Sequence, residues 1–215
     1  MIDVKHQINE VRRGVGTTVL EAGEARVITV SQAYQGSLDD VWDACTNPER
    51  LRRWFLPISG DLQVGGRYQL EGNASGTIER CDPPNRFAAT WEFGGQSSWI
   101  EVRLSERPDG RVRLELEHVA HVAEDLWAQF GPGAVGIGWD QALMGLARHL
   151  SGGEPMDPQQ SAAWLGSDDG HQFVALSSEL WCQASIIAGT PATEAQAAAE
   201  RTTAFYTGSE PTPPS

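Results

Sequence analysis

Between Gly60 and His121 apolar and polar residues alternate with a period of two, in short runs separated by turn residues. Arg86 to Phe93 puts Phe87, Ala89, Trp91 and Phe93 on one face, and Ser98 to Glu106 does the same with Ile100, Val102 and Leu104. Arg111 to His121 places Val112, Leu114, Leu116 and His118 together, with Arg113, Glu115 and Glu117 opposite. Arg67 to Glu71 and Ala74 to Arg80 read as shorter strands, Cys81 to Asn85 as a break, and Arg107-Pro108-Asp109-Gly110 as a hairpin turn. This alternation predicts an antiparallel sheet with one packed and one wet face. Ala25 to Tyr34, β-branched and alternating, predicts the first strand.

Helical spacing governs the rest. Ser37 caps a segment whose Leu38, Val41, Trp42 and Cys45 share one stripe, and Asn47-Pro48 starts a second short helix. Val135, Trp139, Leu143, Leu146 and Leu150 form a stripe long enough to cross a sheet. Val4, Ile8 and Val11 predict an N-terminal helical segment within residues 1–22, ended by Gly14 and Gly16. Gly170 to Ala188, and a second helix opened by Thr190-Pro191 and reaching Tyr206, predict a helical extension over 151–207. That pair is too small for its own core, so it must dock on the sheet domain or on a second subunit. The proline-rich end, 208–215, predicts a disordered tail. Strand, two helices, strands and a long helix, in that order, predict an α+β domain over 23–150.

Charge narrows the partners. A formal net charge of -13 over 215 residues disfavours nucleic acid and anionic membranes. The three cysteines, Cys45, Cys81 and Cys182, show no metal-ligand or disulfide spacing, which predicts reduced, mostly buried thiols in a cytoplasmic protein. No segment resembles a signal peptide or a membrane span.

The chain resembles the START-like (SRPBCC, helix-grip) superfamily. Within it, the chain is most similar to the group named after the C-terminal domain of the activator of the heat-shock-protein-90 ATPase. The resemblance runs from about Gly23 to Leu150. It is carried by Val41-Trp42-Asp43-Ala44, Thr46-Asn47-Pro48-Glu49, Trp54-Phe55, Val64-Gly65-Gly66-Arg67-Tyr68, Gly76-Thr77-Ile78, Arg86-Phe87, Thr90-Trp91 and Gly138-Trp139. It implies a helix-grip antiparallel sheet wrapped around a long C-terminal helix, with the additional helical pair outside the domain. It also implies a cavity for apolar molecules in most members, catalysis of cyclisation or dehydration in a minority, and binding of a partner protein in the chaperone activators.

No nucleophile elbow, zincin motif, P-loop or dinucleotide fingerprint is present. Val135-Gly136-Ile137-Gly138 is better explained by helix packing than by a dinucleotide site. His118 is the one candidate acid or base, against the simpler reading of a core histidine. His118 and His121 point to opposite faces and are not joint metal ligands. Glu71, Glu79, Glu92, Glu101, Glu115 and Glu117 fall mostly on the wet face, which argues against a glycosidase pair. The 8 tryptophans suit either a core or a pocket for a ring-bearing molecule. Trp54, Phe55, Tyr68, Trp91, His118, Trp139 and Leu143 are the candidate cavity residues, Trp91 and Trp139 being expected to face each other. The leading expectation is a protein that binds a small hydrophobic or aromatic ligand without catalysis, cofactor or metal. A chaperone-activator-like interaction module and a polyketide-cyclase-like enzyme are the alternatives, and a homodimer or a chaperone partner is left open.

Overall fold

In a computed structural model, residues 3–155 and 158–209 are described. In chain order the elements are α1 (Val4–Glu10), β1 (Arg12–Leu20), β2 (Gly23–Tyr34), α2 (Leu38–Thr46), α3 (Pro48–Leu51) and β3 (Ile58–Gly60). Then follow β4 (Arg67–Leu70), β5 (Ser75–Asp82), β6 (Arg86–Phe93), β7 (Gln96–Glu106) and β8 (Val112–Ala120). The chain ends in α4 (Glu124–Phe130), α5 (Gly133–Leu150), α6 (Pro158–Leu165), α7 (Asp168–Ile187) and α8 (Ala192–Thr207). The fold is α+β, a helix-grip architecture with an open antiparallel sheet and additional C-terminal helices, as the residue pattern predicts. The part of the predicted tail from residue 210 onward lies outside the described residues.

Two compact units share the chain: residues 1–30, 121–141 and 156–215 form the first, and 31–120 with 142–155 the second. In the second unit β2 (residues 31–34), β8, β7, β6, β5, β4 and β3 are hydrogen-bonded in that order. Pairing from β8 to β3 is antiparallel throughout. Its core is the inward-facing set of the two longest strands, Ile100, Val102 and Leu104 opposite His118, Leu116 and Leu114, together with Val41 and Leu146. The α5 residues of this unit are fixed by Tyr34, whose hydroxyl donates to the Leu143 carbonyl at 3.2 Å. Gly145 sits so close to the chain after α3 that a Cβ there would stand 2.5 Å from the Trp54 carbonyl oxygen.

The first unit is helical, with β1 beside β2. Its centre is a buried carboxylate. Asp140, on α5, is 0% exposed, and its Oδ2 accepts from Arg13 Nε at 3.0 Å, Trp181 Nε1 at 3.1 Å and the Ser177 hydroxyl. Arg13 in turn donates through Nη1 to the carbonyls of Ile8 and Val11 at the end of α1. One carboxylate thus ties β1, α5 and α7. Phe173, Val174, Ile137 and Ile8 are among the most deeply buried apolar side chains of the same unit. Gly136 lies directly under Trp181, where a Cβ would meet the indole at 2.2 Å, so the G-x-G of α5 serves close helix packing.

The N-terminal helical segment predicted over residues 1–22 is confined to α1, and residues 12–20 are a strand. Gly14 is small because Thr29 crosses it: a Cβ would stand 2.5 Å from the Thr29 hydroxyl oxygen. Phe93, predicted on the packed face, is 59% exposed, since β6 ends there beside the Gly94-Gly95 turn. Cys81, expected to be buried, is exposed at the far end of β5. The short helices α4 and α6 and the strand β3 have no counterpart in the residue pattern.

The Asp140 node generates a prediction. Asp140→Leu leaves the Arg13 guanidinium buried without its counter-charge and should cost roughly 3–5 kcal/mol by denaturant unfolding. Arg13→Met combined with Asp140→Leu should cost less than Asp140→Leu alone. Strictly additive losses would show that the two groups do not depend on each other.

Candidate functional site

The residues that make the chain recognisable are architectural. Ser37 and Asn47 cap α2 and α3 by accepting from the Asp40 and Glu49 amides, and Pro48 occupies the first turn of α3, where its missing N–H costs nothing. Arg50 then gathers three elements. It pairs with Asp40 at 2.7 Å and Asp43 at 3.1 Å on α2, and its Nε donates to His149 Nε2 at 3.1 Å on α5. These arginine bonds hold the Asp43 carboxyl below its usual range, while burial and the Arg50 and Arg53 charges lower His149. The Gly65-Gly66 turn is strapped to β5 by Gly65 N–H to the Ile78 carbonyl at 2.7 Å and by Ile78 N–H to the Gly66 carbonyl at 3.0 Å. Gly65 has φ +85° there, which favours glycine.

The chemistry-bearing face of the second unit is the inner face of the sheet. Register places Gly60 opposite Tyr68, Tyr68 opposite Gly76, Trp91 opposite Ser98, and Ser98 opposite Ala120. Large rings therefore alternate with small residues across the strands. Tyr68 is buried, and its hydroxyl donates to the Thr90 carbonyl at 2.7 Å, with burial pushing the phenol up to about 12. The indole of Trp91 and the imidazole of His118 have centroids 6.3 Å apart.

His118 is 6% exposed, and its Nε2 lies 2.8 Å from Ser98 Oγ. The Ser98 hydroxyl gives its single proton to the Trp91 carbonyl at 3.0 Å, so toward His118 it can only accept. Nε2 therefore carries the hydrogen. Burial holds the ring neutral, with its pKa lowered from 6.5 to about 4. A ring fixed in this way is a positioned donor and a weak base. The strand carboxylates stand apart from it: Glu92 pairs with Arg67 at 2.7 Å, Glu101 with Arg103 at 2.6 Å and Glu115 with Arg113 at 2.7 Å, while Glu71 and Glu79 are exposed.

Of the candidate cavity residues, Tyr68, Trp91 and His118 share this inner face. Trp54 and Phe55 are half-buried after α3, with rings 5.5 Å apart and Trp54 Nε1 donating to the Ala44 carbonyl at 2.9 Å. Leu143 is buried on the α5 residues of the second unit. Trp139 is also buried but belongs to the first unit. Ser98, which orients His118, was not singled out by the residue pattern. Its inward alternation beside Ile100, on a strand paired to β8, was the available signal.

The fold and this face define a START-like helix-grip protein. The profile of the family described as Activator of Hsp90 ATPase homolog 1-like protein matches residues 35–151, more than half of the chain, and the protein belongs to that family. The crystal structure of CalU16 from Micromonospora echinospora is similar at 35% identity, over 84% of this chain and 99% of that one, with a TM-score of 0.63. Its solution structure is similar at 37% identity, over 82% and 94%, with a TM-score of 0.66. Protein MLL2253 from Mesorhizobium loti shares the fold at 20% identity, over 59% and 97%, with a TM-score of 0.52. No curated protein sequence matches the chain. Among the described residues no helix is long and apolar enough to cross a membrane.

The buried imidazole makes stability depend on pH. The folded-state value lies below the unfolded one, so the unfolded chain binds a proton that the folded chain refuses. The contribution is complete above pH 6.5 and declines as pH falls toward 4, by up to about 3 kcal/mol. His118→Gln should flatten the stability profile between those limits, measured by urea unfolding at each pH. Parallel profiles for the two proteins would mean that His118 titrates as a solvated ring.

Proposed function

We propose that the second unit binds a small hydrophobic or aromatic molecule against the inner face of its sheet, without catalysis. One observation carries this reading. Trp91 is half-buried in a row whose strand neighbours, such as Ser98 and Ile100, are buried, and the hydroxyls of Tyr68 and Ser98 on the same face are already engaged by the protein. Tyr68 spends its hydroxyl on Thr90 and Ser98 spends its own on Trp91. What the face offers is aromatic surface from Trp91, with Trp54, Phe55 and Leu143 as further apolar contacts and one neutral imidazole for a carbonyl or hydroxyl.

An acid–base enzyme would require a second titrating group near His118, and the strand carboxylates Glu92, Glu101 and Glu115 are instead engaged by arginines. A partner-binding module would favour an apolar outer face, whereas that face carries the Arg86, Glu101, Arg103, Glu115 and Arg113 ion pairs. The free thiols of Cys45, Cys81 and Cys182 support a cytoplasmic setting.

Titration with the fluorescent dye anilinonaphthalene sulfonate tests the proposal. Trp91→Ala should weaken binding about tenfold, near 1.4 kcal/mol, with the fold retained by circular dichroism. Undiminished dye affinity in the folded variant would remove the inner face as the site.

A further inference from the structure

The first unit contains a cleft of about 410 Å³. Its floor is the Gly131-Pro132-Gly133 turn between α4 and α5, and α4, α7 and α8 wall it. Both α7 and α8 lie beyond residue 151, where the family match ends, so two of the three walls belong to the extension, while α4 and the floor lie within the matched residues.

Its lining is chemically equipped. Trp127 is half-buried on α4 and carries the Arg26 guanidinium 5.1 Å from its ring centroid. Trp181 forms a second indole wall, held in place by its bond to Asp140. Ser178 lines the cleft at 2% exposure, and its Oγ has no hydrogen-bond partner among the described residues. A buried hydroxyl without a partner has lost the hydrogen bonds it makes in water, and a ligand group would restore one. Ser185 Oγ donates to Thr190 Oγ1 at 2.9 Å, which leaves the Thr190 hydroxyl proton for another acceptor. At the rim Glu124 and Glu194 outnumber Arg26, so an anion is disfavoured.

We propose that this cleft is a second small-molecule site, independent of the inner sheet face, for a neutral planar ring compound bearing hydroxyl or carbonyl groups on its edge. Trp127 covers the ring face, and Ser178 and Thr190 meet the polar edge. The volume lies within the range of small-ligand pockets.

Cys182, half-buried in the lining, reports occupancy. In full-length Cys81→Ser protein, alkylation of Cys182 by iodoacetamide is followed by intact mass, with and without 2-naphthol as the probe. Saturable, several-fold slowing by 2-naphthol is expected. Trp127→Ala should weaken the probe roughly tenfold. Glu194→Trp, at an exposed rim position, should abolish the protection, and Trp91→Ala on the inner sheet face should leave it intact. No saturable protection would overturn the proposal. So would protection that survives Glu194→Trp, because Cys182 and Ser178 also line an adjoining groove between α7 and α8. Loss of protection in Trp91→Ala would overturn it too, since the probe would then be reporting the sheet face.

Discussion

A carboxylate without access to water organises the helical unit. Burial pushes Asp140 toward its neutral form, and Arg13, Ser177 and Trp181 pull it back by donating to one oxygen. An isolated buried charge would be prohibitive, so each donor must be delivered to the same point by its own element. Arg13 arrives on β1, Ser177 and Trp181 arrive on α7 one helical turn apart, and Asp140 is presented by α5. Apolar contacts alone would tolerate sliding of α7 along α5. A three-donor carboxylate does not, and Gly136 under the Trp181 ring admits one register only. The fixed orientation of Trp181 then shapes the wall of the neighbouring cleft.

In the sheet unit, proton direction bears on the proposal that the inner face binds a ligand without catalysis. A histidine beside a serine suggests a nucleophile and its base, and the distance of 2.8 Å fits that reading. The serine proton goes elsewhere, to the Trp91 carbonyl, so Ser98 does not present it to the imidazole as a nucleophile would. Desolvation also lowers the affinity of the imidazole for a proton, so it is a poor base at neutral pH. The same features suit recognition. A neutral donor held rigidly among aromatic rings discriminates by hydrogen bonding without the desolvation cost of a charge.

Much of the sheet is legible from residue order because β7 and β8 each keep one wetter face, and alternation persists wherever water touches every second residue. The α2–α3 caps are legible for a similar reason, since Ser37, Asn47 and Pro48 act within their own few residues. β1 is misread because Gly14 and Gly16 look like helix stops. The reason for Gly14 is Thr29 on another strand, which no local window contains. The inner-face candidates Tyr68, Trp91 and His118 follow from alternation, whereas Ser98 becomes significant only once β7 is paired with both neighbours. Asp140 escapes notice altogether. It lies beside Trp139 in an apolar helix, and its partners stand 127, 37 and 41 positions away.

Tryptophan content shows where residue type stops being informative. Composition alone assigns all eight indoles to one cavity or one core. In the structure they divide by the partner of the ring nitrogen and by what covers the ring. Trp54 donates to a backbone carbonyl beside α2 and Trp181 to the buried Asp140, so these two fix chain geometry. Trp164 packs edge-on to Phe173 within the helical unit. Trp91 and Trp127 are half-buried, as Trp54 and Trp164 are, but each of their rings lies beside a polar group, a neutral histidine for one and an arginine for the other. Accessible indole next to a polar group is costly to leave in water and useful to a ligand. Trp91 and Trp127 belong to different units, so the two proposed sites rest on separate neighbourhoods.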